Sequence, residues 1–154
     1  MRKTIAHFFL LMALGLMLDL HVYAKQKISF KELNKEYTQV GIEVYNLGEK
    51  SEEAMFKEYK ADDFVATKVY KSAIIILELA VKQNPENIIA HYYLGKSYHK
   101  VSFITLGEYD KEYLKKAKKE YLFVIQAGKK SKEYKEIVID SKEGLENVDG
   151  WLKD

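Results

Sequence analysis

The chain has no cysteine, one proline (Pro85) and one arginine (Arg2) among its 154 residues. Without thiols there is no disulfide framework, no c-type haem attachment, no thiolate for zinc and no lipid-modified cysteine. The near-absence of proline removes the strongest helix breaker, so long uninterrupted helices are expected. No segment alternates strictly between polar and apolar residues, which argues against half-buried strands. The formal net charge is only +2. Nucleic-acid binding needs a clustered excess of cation, so no nucleic-acid partner is expected.

Chemistry-bearing motifs are also missing. There is no glycine-rich phosphate loop, and Ser72, Ser97 and Ser102 lack the glycines of a nucleophile elbow. Beyond the leader only His91 and His99 are histidines; eight residues apart on a helix, they stand two turns from each other. They cannot share a metal unaided. The acidic pairs Glu52-Glu53 and Asp62-Asp63 suit helix starts better than a catalytic dyad. No catalytic residue, cofactor site or metal site is expected.

Residues 1–24 have the organisation of a signal peptide. Arg2 and Lys3 form a positive start, Ile5 to Leu18 is almost wholly apolar, and Val22-Tyr23-Ala24 offers small residues for cleavage. A membrane span needs about 20 apolar residues, and Asp19 interrupts this run earlier. Export to a periplasmic or secreted location is therefore expected, with no stable membrane span after cleavage. Setting aside Arg2, Lys3 and Asp19 leaves 23 lysines against 22 acids. Residues 25–154 are about the size of one ordinary domain.

That remainder predicts an all-α fold of about five helices. Ser29 and Glu32 have capping-box spacing, with Phe30, Leu33, Tyr37, Val40 and Val44 along one face and Gly48 as the stop. Ser51 is expected to cap the next segment, which runs to Gln83 as one long helix or as two broken near Ala61-Asp62-Asp63. A third helix opens with Asn84 as cap and Pro85 at its first position, and continues to about Leu106. The fourth spans Asp110 to Ala127, with Leu114, Ala117, Tyr121 and Val124 inward. A fifth starts after Ser131, with Tyr134, Ile137, Val138, Leu145, Val148 and Leu152 on one side.

The stretch from Asn84-Pro85 through Leu94-Gly95 to Tyr98 resembles the start of a tetratricopeptide repeat. Leu94, Gly95 and Tyr98 occupy first-helix positions, and Ala117 and Tyr121 match the Ala-x-x-x-Phe signature of the second helix. In the preceding unit Ala73, Leu77, Ala80 and Pro85 match a second helix, paired with a first helix holding Tyr37, Val40, Gly41 and Val44. Another register pairs Ala73 with Ala61 and Phe64, and a generic helical bundle is the alternative fold. Spacing departs from the family: Gly95 to Ala117 is 22 residues, against about 12 in the standard unit.

The resemblance implies stacked antiparallel helical hairpins and a concave groove for a partner segment. Its lining would be Lys35, Thr38, Ile42, Tyr45 and Asn46, then Ile89, Tyr92, Lys96, His99 and Lys100. Rings beside ammonium groups suit an extended peptide carrying carboxylates; equally, the tyrosines suit helix packing. His91 stands where the family has tryptophan and is expected to pack. The lysine clusters at 115–119 and 129–135 are expected to be solvated, with Glu112 pairing Lys116. Two functions follow. One is a non-enzymatic protein-interaction or assembly module of the cell envelope. The other is a structural protein that self-associates through the 51–83 helix, whose Ile74-Ile75-Ile76-Leu77 run is apolar on nearly all sides.

Overall fold

The structure is a computed structural model that describes residues 29–58, 63–105 and 108–153. The expected leader, and the residues 59–62 around the expected break, lie outside the described residues. Among the described residues five helices carry the fold: α1 (Phe30–Glu58), α2 (Asp63–Gln83), α3 (Ile88–Ser102), α4 (Lys111–Gly128) and α5 (Lys135–Lys153). The all-α expectation holds. A minimal antiparallel ribbon between α3 and α4, β1 (Phe103–Thr105) and β2 (Glu108–Tyr109), pairs Phe103 with Tyr109. Among the described residues no helix is long and apolar enough to cross a membrane.

Two compact units divide the chain, Met1–Leu33 and Asn34–Asp154. In the first, the opening turn of α1 is a reciprocal capping box. The Ser29 amide donates to the Glu32 carboxylate at 2.9 Å and the Glu32 amide donates to Ser29 Oγ at 3.2 Å. These bonds hold the Glu32 carboxyl below its ordinary pKa. The second unit contains the helix-to-helix packing.

The first helix does not stop at Gly48, and Ser51 caps nothing. The Ser51 hydroxyl donates back to the Leu47 carbonyl at 2.8 Å inside a continuous helix. Residues 51–58 therefore belong to α1 and 63–83 form α2, which corrects the view of 51–83 as a single helix. Both glycines of α1 serve close approach. A Cβ on Gly41 would lie 2.6 Å from Leu77 Cδ2, and one on Gly48 would overlap the Tyr70 ring. The buried face of α1 is consequently Asn34, Thr38, Gly41, Tyr45 and Gly48, while Val40 is exposed. Two small polar residues and two glycines make that face hard to see by hydropathy. On α2, Ile74 and Leu77 are buried but Ile75 is 62% exposed and Leu79 41%, so the helix is not enclosed on all sides.

Helix α3 begins one turn later than its proline suggests. Asn84 and Pro85 form a turn in which the Asn84 side chain accepts from the Glu86 amide, and Asn87 is the actual N-cap. The Asn87 side-chain oxygen accepts from the Ala90 amide at 3.1 Å, while its amide group donates to Asn34 Oδ1 and Thr38 Oγ1, each at 2.9 Å. Asn34 in turn donates to the Ala80 carbonyl at 2.6 Å. One capping residue thus ties α1, α2 and α3 together through a satisfied polar knot. At the far end, α3 stops at Ser102, short of the expected Leu106, because the β1–β2 ribbon takes over. Asp110, expected as the first residue of the fourth helix, is the N-cap of α4 and accepts from the amides of Glu112 and Tyr113.

Consecutive helices run antiparallel. Gly41 meets Leu77 and Gly48 meets Tyr70 across α1–α2; Gly95 meets Tyr121 across α3–α4; Gly128 meets Val138 and Gly144 meets Tyr121 across α4–α5. Alternate helices lie side by side and parallel. Tyr45 touches Tyr93, Lys100 reaches Glu52, Tyr92 reaches Asp140 and His99 packs on Trp151. The core follows these seams, with Tyr45, Tyr70, Leu77, Leu114, Val124 and Val148 among its fully buried side chains.

Candidate functional site

Where α1, α2, α3, α4 and α5 converge, a cavity of about 460 Å³ is lined by Tyr45, Glu52, Ala66, Thr67, Tyr70, Lys96, His99, Lys100, Phe103, Tyr121 and Trp151. Four residues singled out from sequence, Tyr45, Lys96, His99 and Lys100, meet here. The others do not. Lys35 and Asn46 are exposed, Ile42 and Ile89 are half-buried, and Thr38 is buried in the Asn87 knot. Tyr92 is buried behind Lys96, its hydroxyl donating to Asp140.

Helical spacing explains the convergence. Lys96, His99 and Lys100 are three and four residues apart, so α3 presents them on one side. Tyr45 stands at their back, fully buried against Tyr70 and Tyr93 at 5.4 Å in each case. Its hydroxyl donates to Glu49 at 2.8 Å. Burial, then Glu49, drives its pKa far above the ordinary tyrosine value, so it stays protonated.

The two ammonium groups sit over ring faces. Lys96 Nζ lies 5.2 Å from the Tyr45 centroid and 5.4 Å from that of Tyr92; Lys100 Nζ lies 5.7 Å from Tyr70. Their ion pairing differs. Lys100 is held by Glu52 at 2.5 Å. Lys96 has only a loose contact with Asp140, 3.8 Å away, and Asp140 already accepts from Tyr92.

Between the lysines, His99 is packed edge-on against Trp151 at 4.9 Å and bonded through Nδ1 to the Tyr121 hydroxyl at 3.2 Å. Burial, followed by the positive charges of Lys100 and Lys96, pushes its pKa down to about 4. It is a neutral imidazole near pH 7. The Tyr70 hydroxyl is buried and makes no hydrogen bond, although Glu52 is near enough, after burial, to raise its pKa.

His91 belongs elsewhere and packs as expected. It stacks on Phe123 at 3.8 Å, with Nδ1 2.5 Å from Glu120 Oε2 and Nε2 2.9 Å from the Pro85 carbonyl. Among the described residues no group of acids and histidines is arranged to hold a metal ion. In the lysine cluster, Glu112 pairs with Lys115 at 2.8 Å instead of Lys116. Lys116 lies over the Tyr98 and Tyr113 rings, and Lys118 bonds Asp149 at 2.7 Å.

Glu52, Tyr70, Phe103, Tyr121 and Trp151 join the site without having been expected there. A signal for two of them is present in the sequence. Tyr45-Asn46-Leu47-Gly48 and Tyr92-Tyr93-Leu94-Gly95 are the same motif 47 residues apart, and Ala66-x-x-x-Tyr70 mirrors Ala117-x-x-x-Tyr121. Each glycine admits the tyrosine of its own hairpin partner. The counterpart of Gly95 in the earlier unit is thus Gly48, with Ala66 and Tyr70 on its second helix, in place of Gly41 and Ala73. Compared with family models, with curated proteins and with solved structures, the chain matches none.

Proposed function

We propose that the chain is an exported, tetratricopeptide-like repeat protein that serves as a non-enzymatic interaction or assembly module in the cell envelope. Its partner is a protein or peptide segment docked along the side formed by α1, α3 and α5, with no bond made or broken. The observation that carries this reading is the repeated pairing of Tyr-x-Leu-Gly on a first helix with Ala-x-x-x-Tyr on a second. Two such hairpins and an end helix set three first helices side by side. Helical repeats of this kind bind partners along the surface their first helices line. The leader-like residues 1–24 supply the address.

The test uses exposed positions, so that the fold is spared. Photo-crosslinking from a probe at position 35 in intact cells should yield a discrete adduct that is lost on Asn46→Arg, and a probe at position 46 one that is lost on Lys35→Glu. An unchanged adduct pattern, with unfolding also unchanged, would refute docking on this side.

A second reading is self-association. Ile75 and Leu79 lie four apart on α2 and remain exposed, an apolar stripe that a second copy would cover. Sedimentation equilibrium decides it: a concentration-dependent dimer should revert to monomer in Ile75→Lys, and a monomer at every concentration ends the proposal.

A further inference from the structure

The cavity is built unlike a helix seam. Its wall is mostly ring faces, from Tyr45, Tyr70, Phe103, Tyr121 and Trp151, yet two ammonium groups project into it. About 460 Å³ is the size of a small-molecule site. A cationic guest would be the first thought for an aromatic cage, but the positions over Tyr45 and Tyr70 are already taken by the chain's own Lys96 and Lys100. Glu52 is committed to Lys100, which leaves Lys96 without a close acceptor among the described residues. Lys96 has three N–H donors and only long contacts, 3.4 Å to the Tyr92 hydroxyl and 3.8 Å to Asp140.

We propose that this cavity binds a small aromatic monocarboxylate, its ring packed against the accessible rings of Phe103 and Trp151 and its carboxylate received by Lys96. The ring gains stacking and edge contacts with the wall. The carboxylate gains a charge-assisted bond that Asp140 leaves unclaimed. Glu52 stands at the opposite side as a brake, because it neutralises Lys100 at 2.5 Å. The His99 pKa is depressed first by burial and then by Lys100 and Lys96, whose positive charges both reach the cavity. The cavity shares Tyr45, Lys96, His99 and Lys100 with the expected groove, but a small ligand needs no partner protein, so binding to the purified chain tests this site separately from partner docking.

Three probes that share one ring body and differ in head charge test it on the purified protein by titration calorimetry: 2-naphthoate, 2-naphthol and 2-naphthylmethylammonium. Naphthoate should bind one to one, naphthol at least tenfold more weakly, and the ammonium without measurable heat. The indole N–H resonance of Trp151, the single tryptophan, should shift on saturation with naphthoate. Lys96→Met keeps the stem and should weaken naphthoate at least tenfold. Glu52→Gln releases Lys100 and should tighten it about threefold, a gain that damaged packing cannot produce. Equal affinity for naphthol and naphthoate, an unmoved Trp151 resonance, absence of saturable heat, or unchanged affinity in Lys96→Met would each overturn the assignment.

Discussion

Replacing Gly48 with alanine sets two effects of known sign against each other. Inside an exposed helix the change stabilises by about 1 kcal/mol, because alanine surrenders less backbone entropy than glycine. At Gly48 the new Cβ would lie 2.8 Å from both Cδ1 and Cζ of Tyr70 and closer still to Cε1. The ring cannot step aside cheaply. It is 1% exposed, 5.4 Å from Tyr45, and covered on one face by Lys100. Overpacking costs roughly 1–3 kcal/mol, and a ring held this way falls in the upper part of that range, about 2–3 kcal/mol, so the net change should be a loss of about 1–2 kcal/mol. Gly150 provides the control, being helical with nothing within 4 Å of the point a Cβ would occupy. Gly150→Ala should gain nearly the full ~1 kcal/mol. Urea unfolding followed by circular dichroism should then show midpoints moving in opposite directions, with melting temperatures displaced by roughly 3–6 °C each way. If Gly48→Ala stabilises as much as Gly150→Ala, the close helix contact on which the repeat rests does not exist.

Other substitutions probe separate parts of the fold and site. Asn87→Ala removes a helix cap and leaves the buried Asn34 and Thr38 short of a partner, and should cost about 2–3 kcal/mol in chemical denaturation. A loss below about 1 kcal/mol would show that the knot is not formed. For His99, the folded pKa of about 4 lies below the ordinary 6.5. The unfolded chain therefore binds the proton first as pH falls, so this contribution is complete above about pH 6.5 and lost on the way to pH 4. Its size is on the order of 2–3 kcal/mol, and His99→Gln should flatten the stability profile across that window; an equally steep profile would contradict a buried neutral imidazole. Lys118→Ala breaks a half-exposed pair with Asp149 and should change stability by less than about 0.5 kcal/mol. A loss above 1 kcal/mol would mean that the pair is far better shielded than its exposure implies.

Helix content is legible in the sequence because its signals are local. The capping box at Ser29 and Glu32, the start of α4 beside Asp110 and the buried positions of α4 follow from spacing within one or two turns. Glycine misleads for a physical reason. The same residue that ends helices by adopting a left-handed conformation also lets two helices touch, and sequence alone does not separate these uses. Gly48 reads as a stop and is a contact. Asn84-Pro85 misleads similarly, since proline suits both a first helical turn and the turn before it. At the site, Lys96, His99 and Lys100 are visible as one side of α3. Glu52 and Trp151 are not, because they arrive from α1 and α5 through contacts between parallel helices far apart in the chain.

The 47-residue spacing between the two Tyr-x-Leu-Gly motifs bears on how a cavity came to exist at all. Standard repeats of about 34 residues pack short helices with little length to spare. Here α1 runs for 29 residues and α2 for 21, while α3 keeps to 15, so the first hairpin is the lengthened one and α1 continues past the point where Gly48 seats Tyr70. Among the described residues, the layer beyond that seam mixes charged and aromatic side chains. It supplies Glu52, Lys100, His99, Phe103 and Trp151, and these line the space instead of filling it. Polar and charged groups at half-buried positions are costly unless each has a use. Glu52 and Lys100 satisfy each other and His99 is neutral and bonded to Tyr121, whereas Lys96 keeps donors to spare. The lengthened helices thus explain both the departure from ordinary repeat spacing and the position of these unspent donors at the cavity wall.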